Sequence, residues 1–335
     1  MSQNFSKTLG LSATCLLLSV SQGQAAVTWN FNYTDAAGVG FNAAGQTGTD
    51  RRNAVQAASD KVSSYFTAYN ATIDMDVNGG ETNNNTLASA GSNSNAPLDA
   101  GFGNRGDVGI KILGGADPSA GADGTVNWNF EDFTWALGDT VPANEFDFKS
   151  TLIHELFHAV GFLSNIGQNG DDLSPDPAPQ HWGPFDQFVG DSTGRLIEQS
   201  GNFDLDLARW NTASVGGTGT VPASAGLYFD GANANAANGG NPVPIYSPNP
   251  WEDGSSGSHL DDNYFNGTTA DKQLMNSASL AGPSNRSLSA IELGILKDIG
   301  FTQVVPIPGA VWLMGSGLLA LFGLRRRRVV ANVVA

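Results

Sequence analysis

Two histidines four residues apart enclose an acid in His154-Glu155-Leu156-Phe157-His158. On a helix both imidazoles leave the same face, one turn apart, which suits two bonds to one tetrahedral zinc ion. Glu155 stands beside them and reaches past the metal. There it can take the proton of a water whose pKa zinc lowers to about 7, then pass that proton to a leaving group. The chemistry expected of these residues is zinc-dependent hydrolysis, with Glu155 as general base. The flanks Leu152, Ile153, Leu156, Phe157, Val160 and Phe162 are apolar, so the helix belongs to a core. Two histidines and a glutamate are costly there unless a metal satisfies them.

Gly161 follows His158 by three residues and can end the helix with positive φ. With it the sequence resembles the metzincin metalloproteases, whose pattern is HExxHxxG followed by a third ligand. In their commonest form that ligand lies three residues past the glycine, where this chain has Ser164. The leishmanolysin-like branch takes its third histidine from far downstream, just before a methionine-bearing turn. The matching residues here are His259, in Gly257-Ser258-His259-Leu260-Asp261-Asp262, and Met275, in Leu274-Met275-Asn276-Ser277. The resemblance spans roughly 145–300 and implies His259 as third zinc ligand and Met275 as the turn methionine. It also implies an exported metalloendopeptidase acting on protein or peptide substrates. His181, in Gln180-His181-Trp182-Gly183, remains a rival ligand among the four histidines, and Asp171 or Asp172 a further option.

The elements that must hold these residues read as an α+β fold. A mixed twisted sheet and the active-site helix precede an irregular C-terminal lobe closed by a helix. Val27–Tyr33 and the alternating segment Ala71–Val77 read as strands. Between them Asp50–Tyr69 reads as an amphipathic helix capped by Thr49 or Asp50. Asn78–Gly101 reads as a long loop, Asp107–Leu113 and Val126–Phe133 as strands, and Phe148–Phe162 as the active helix. After Phe162, prolines and glycine-rich runs exclude long helices until Ser289–Ile299. The expected lobes are residues 27–165 and 166–303, with a cleft between them floored by the active helix.

Both ends read as addresses. Residues 1–26 combine Lys7, the apolar Leu9–Val20 and small residues near Gly23, Ala25 and Ala26, as in a secretory signal. Residues 304–335 place Val305-Pro306-Ile307-Pro308 before the apolar 311–324 and the block Arg325–Arg328. That order resembles PEP-CTERM sorting tails. It implies a Gram-negative source, transient anchoring in the inner membrane and processing by an exosortase-type enzyme. A permanent single-span anchor is the alternative.

Charge and cysteine usage narrow the partners. Five of the 16 Lys and Arg residues lie in the two ends, leaving 11 against 32 acidic residues, near −21. Such a polyanion repels phosphate backbones, so nucleic acid is not an expected partner. Asp171, Asp172, Asp176, Asp261, Asp262 and Asn263 could hold calcium, though their spacing matches no EF-hand. The only cysteine, Cys15, falls in the signal segment, so neither disulfides nor thiol chemistry is expected of the mature chain. A surface or matrix protein that keeps the zinc fold without turnover is the competing reading.

Overall fold

The computed structural model describes residues 26–80, 85–174, 178–217, 225–265 and 272–304. Apart from Ala26 and Val304, the expected signal peptide and sorting tail lie outside these residues, as does Asp176. Period-two alternation does what the sequence requires at the start. Strand β1 (Val27–Tyr33) buries Val27 and Trp29, and β2 (Ala71–Asn78) buries Ile73, Met75 and Val77. The two pair in parallel, from Val27↔Ala71 to Tyr33↔Val77. The crossover between them is helix α1 (Gln46–Ser63), which buries Ala54, Val55, Ala58 and Val62 along one stripe.

Four expectations in this half need correction. Helix α1 starts before Thr49 and Asp50, which sit inside it: Asp50 accepts from Gln46 Nε2 one turn earlier. It also stops at Ser63, and Tyr65 and Phe66 are buried in the turns that follow. The expected loop contains strand β3 (Ala88–Ser92), and the expected strand at 107–113 is helix α2 (Asp107–Ile112). Val108 and Ile112, four apart, are both buried, a helical spacing that a short strand reading also tolerates. Strand β4 (Gly124–Trp128) is shorter than expected and starts two residues earlier.

The sheet order is β1-β2-β4-β3, with β3 antiparallel to β4 at the edge. Its apolar face packs on α1 and on the active helix. Its outer face carries a polar ladder in which Asn30 and Asn32 donate to Asp74 and Asp76, each at 2.8 Å. A two-stranded parallel pair, β5 (Trp135–Ala136) and β6 (Phe146–Asp147), leads directly into α3 (Phe148–Val160).

Past α3 the chain is less irregular than expected. Four short strands, β7 (Val189–Asp191), β8 (Gly194–Arg195), β9 (Leu227–Phe229) and β10 (Val243–Ile245), form an antiparallel sheet in the order β10-β9-β7-β8. Short helices α4 (Leu207–Ala213) and α5 (Ala232–Ala237) accompany them. Helix α6 (Ala290–Asp298) is the last element among the described residues and falls within the expected Ser289–Ile299. Ser289 and Glu292 form a capping box at its start. Among the described residues no helix is long and apolar enough to cross a membrane. The architecture is mixed α/β and compatible with α+β.

Candidate metal centre

Both ends of α3 are pinned. At the N-terminus Asp147 caps the helix by accepting from Ser150 N at 3.0 Å. The same carboxylate accepts from Arg286 Nε at 2.9 and 3.0 Å, which ties the helix start to the segment before α6. At the C-terminus Gly161 adopts φ 118°, a conformation that favours glycine. Phe162 N then bonds Phe157 O at 3.0 Å, closing the helix with a Schellman pattern. The same turn swings the Phe162 carbonyl back to His158 Nδ1, at 2.7 Å.

Three imidazoles converge above this helix. The Nε2 atoms of His154, His158 and His259 form a triangle with edges of 3.0, 3.0 and 3.1 Å. Each Nδ1 faces a backbone carbonyl: Leu274 O from His154 at 2.7 Å, Phe162 O from His158 at 2.7 Å and Ser255 O from His259 at 2.8 Å. A carbonyl can only accept, so every Nδ1 carries the proton and every Nε2 presents a bare lone pair. Burial lowers His154 to about 4. Burial, with the neighbouring His154, lowers His259 to about 3. Burial and the two other rings hold His158 well below the usual range. At neutral pH three uncharged rings therefore aim lone pairs at one point, an arrangement that repels itself without a cation. The spacing is close to the edge of about 3.3 Å expected for nitrogens bound tetrahedrally to zinc at about 2.0–2.1 Å. The donor set fits a metal ion of the borderline, nitrogen-binding kind.

His259 reaches the helix because its segment is laced into its surroundings. Leu260 N bonds Met275 O at 2.8 Å, and Tyr246 N bonds His259 O at 2.9 Å. Met275 N in turn donates to Glu292 Oε1 at 2.7 Å, so the carboxylate that caps α6 also holds the methionine turn. Met275 is fully buried. Ser164, at the short-form ligand position, instead ties the helix exit to His259: its N–H donates to Ser258 Oγ at 3.2 Å. Its hydroxyl donates to the buried Asp186 at 2.7 Å.

His181 is not brought to the triad. It lies on a bridge to Gly101, and its N–H donates to Asp172 Oδ2 at 2.6 Å. The other Asp172 oxygen accepts from Ser174 N, and Asp261 Oδ1 accepts from Asn263 N and Tyr264 N. Asp262 accepts from Ser277 Oγ. These carboxylates close loops. Among the described residues the triad is the one group of three or more His, Cys, Asp or Glu close enough to hold a metal.

A cleft of about 970 Å³ opens over the triad, with Glu155 in its wall beside His154, His158 and His259. Its lining includes the edge strand β3, residues 252–255, Ser258 and residues 276–279. No family model matches this chain, and no curated protein matches it in sequence. Sequence reasoning missed the Asp147–Arg286 pair and the grip of Glu292 on Met275. The acid just before a helix and the Ser-x-x-Glu spacing at 289–292 are cap signals that could have found half of each.

Proposed function

We propose that the chain is a zinc-dependent metalloendopeptidase that acts outside the cell, related in plan to the distant-histidine metzincins. The observation that carries the reading is the triangle of Nε2 lone pairs in an open cleft with Glu155 in the same wall. A zinc ion held by His154, His158 and His259 supplies Lewis-acid chemistry, polarising a carbonyl and acidifying water. Glu155 lies outside the nitrogen set, and its place in the cleft wall suits a general base. Its carboxylate takes the proton of the attacking water and delivers it to the departing amine nitrogen. The Nδ1 bonds to Leu274, Phe162 and Ser255 keep the three rings oriented during that transfer. A cleft of about 970 Å³ with the edge strand β3 in its lining suits an extended peptide better than a small ester or amide.

Export, by the signal at 1–26 and the tail at 304–335, is part of the same proposal. So is processing by an exosortase-type enzyme. A non-catalytic surface protein would need the histidines but has no use for an acid at 155, which favours turnover. The test is reconstitution. Full-length protein stripped by chelator and reloaded with zinc should regain hydrolysis of a quenched peptide library, and calcium alone should not restore it. Zinc-loaded protein that leaves every peptide intact would refute the peptidase.

A further inference from the structure

Glu292, in the first turn of α6, is fully buried. One of its oxygens does what a capping box requires: Oε2 accepts from Ser289 N at 2.6 Å. The other faces away from that cap, and Oε1 accepts from Met275 N at 2.7 Å. Burial raises the carboxyl against the pull of N–H donors on Ser289, Met275 and Leu274. Met275 N and the Leu274 carbonyl belong to one peptide group, and that carbonyl receives His154 Nδ1 at 2.7 Å. Two hydrogen bonds thus run from a buried carboxylate, through one amide, to a ring of the triad. The ring of His259 has a different backing. Its acceptor, Ser255 O, shares a peptide group with Ser256 N, which donates to the uncharged carbonyl of Glu252 at 2.9 Å.

Resting on the reading of the triad as a zinc site, we infer that Glu292 is a positioning residue for His154, acting through the Leu274–Met275 peptide group to strengthen that ring as a metal ligand. An amide whose N–H faces an anion carries more negative charge on its oxygen, so that oxygen accepts more strongly. The Leu274 carbonyl then draws on the Nδ1 proton, which fixes the tautomer and the plane of the ring. The density gained on Nε2 makes His154 a stronger donor to a cation. The usual form of this device places a carboxylate directly on the histidine. Here a peptide group stands between the two. Glu292 is absent from the lining of the cleft, so its charge backs the ligand without competing with Glu155 for the proton of the attacking water.

The test compares full-length wild type, Glu292→Gln and Ser289→Ala, each with isotope-labelled histidine. Glutamine keeps the size but loses the charge, and its one oxygen can serve only one of the two N–H groups. Glu292→Gln should bind zinc about tenfold more weakly in competition with a chelator. In NMR spectra of the zinc-loaded variant the His154 Nδ1–H signal should move upfield, while those of His158 and His259 stay in place. Ser289→Ala removes the oxygen that accepts from Glu292 N at 3.2 Å and leaves the carboxylate on Met275. It should lower the melting temperature yet keep the zinc affinity and the His154 signal of the wild type. Should the glutamine variant fail to fold, Glu292→Asp serves instead: its shorter arm withdraws the carboxylate from Met275 N and should give the same loss and the same shift. Unchanged zinc affinity at position 292, an unmoved His154 signal, or an equal loss in Ser289→Ala would overturn the role of Glu292 alone. A wild type that binds no zinc would take the metal reading down with it.

Discussion

His154 donates from Nδ1 to the carbonyl of Leu274, 120 residues downstream, at 2.7 Å. That bond joins the active helix to the turn that carries Met275, and the turn is bonded in turn to Leu260, next to His259. The corners His154 and His259 are thus held by a loop that has no ligand of its own.

Metal removal should therefore loosen far more than the site. His158 and His259 are 101 residues apart, so the bound ion links α3 to the segment bridging β10 and the methionine turn. The melting temperature should fall by several degrees in excess chelator and recover on adding zinc. His259→Ala should lose the stoichiometric zinc that His181→Ala retains. Retention by the first and loss by the second would reverse the assignment.

Arg286→Ala should destabilise the fold by about 2–3 kcal/mol, because it strands the Asp147 carboxylate inside the protein at the helix start. Asp147 is 2% exposed in its side chain and Arg286 23%, so the loss falls below that of a fully buried pair. Urea unfolding measures it. A change under about 0.5 kcal/mol would show that the cap survives without the arginine.

Asp186 provides a pH signature. Burial lifts its carboxyl to about 6, against the pull of the Ser164, Gly183 and Asn165 donors. The folded protein thus binds a proton that the unfolded chain, at its ordinary 3.8, releases. The stability this contributes is fully present below 3.8 and is lost as pH rises through about 6. Asp186→Asn mimics the protonated form. Its stability relative to wild type, both stripped of metal, should rise by about 2–3 kcal/mol between pH 4 and pH 8. A difference that stays flat across that range would contradict the lifted pKa.

The site was more legible in the sequence than the fold around it. His154, Glu155 and His158 follow from helical spacing alone, and Gly161 from the need for positive φ. His259 came from a resemblance, since no periodicity connects residues a hundred positions apart. Strand β3 (Ala-Ser-Ala-Gly-Ser) escaped because it has no β-branched or aromatic residue; β4 pairing and the cleft make it a strand. Helix α2 was misread because six residues do not separate a period of 2 from one of 3.6. The strands β7 to β10 are two or three residues long, below the length at which alternation registers.

The most direct test of the central claim is casein hydrolysis by wild-type and Glu155→Ala protein, each shown to hold one zinc per chain. The wild type should cleave, and the variant should do so at a rate lower by a factor on the order of 10²–10⁴. Equal cleavage by the two, with equal zinc, would contradict Glu155 as the base and the mechanism built on it.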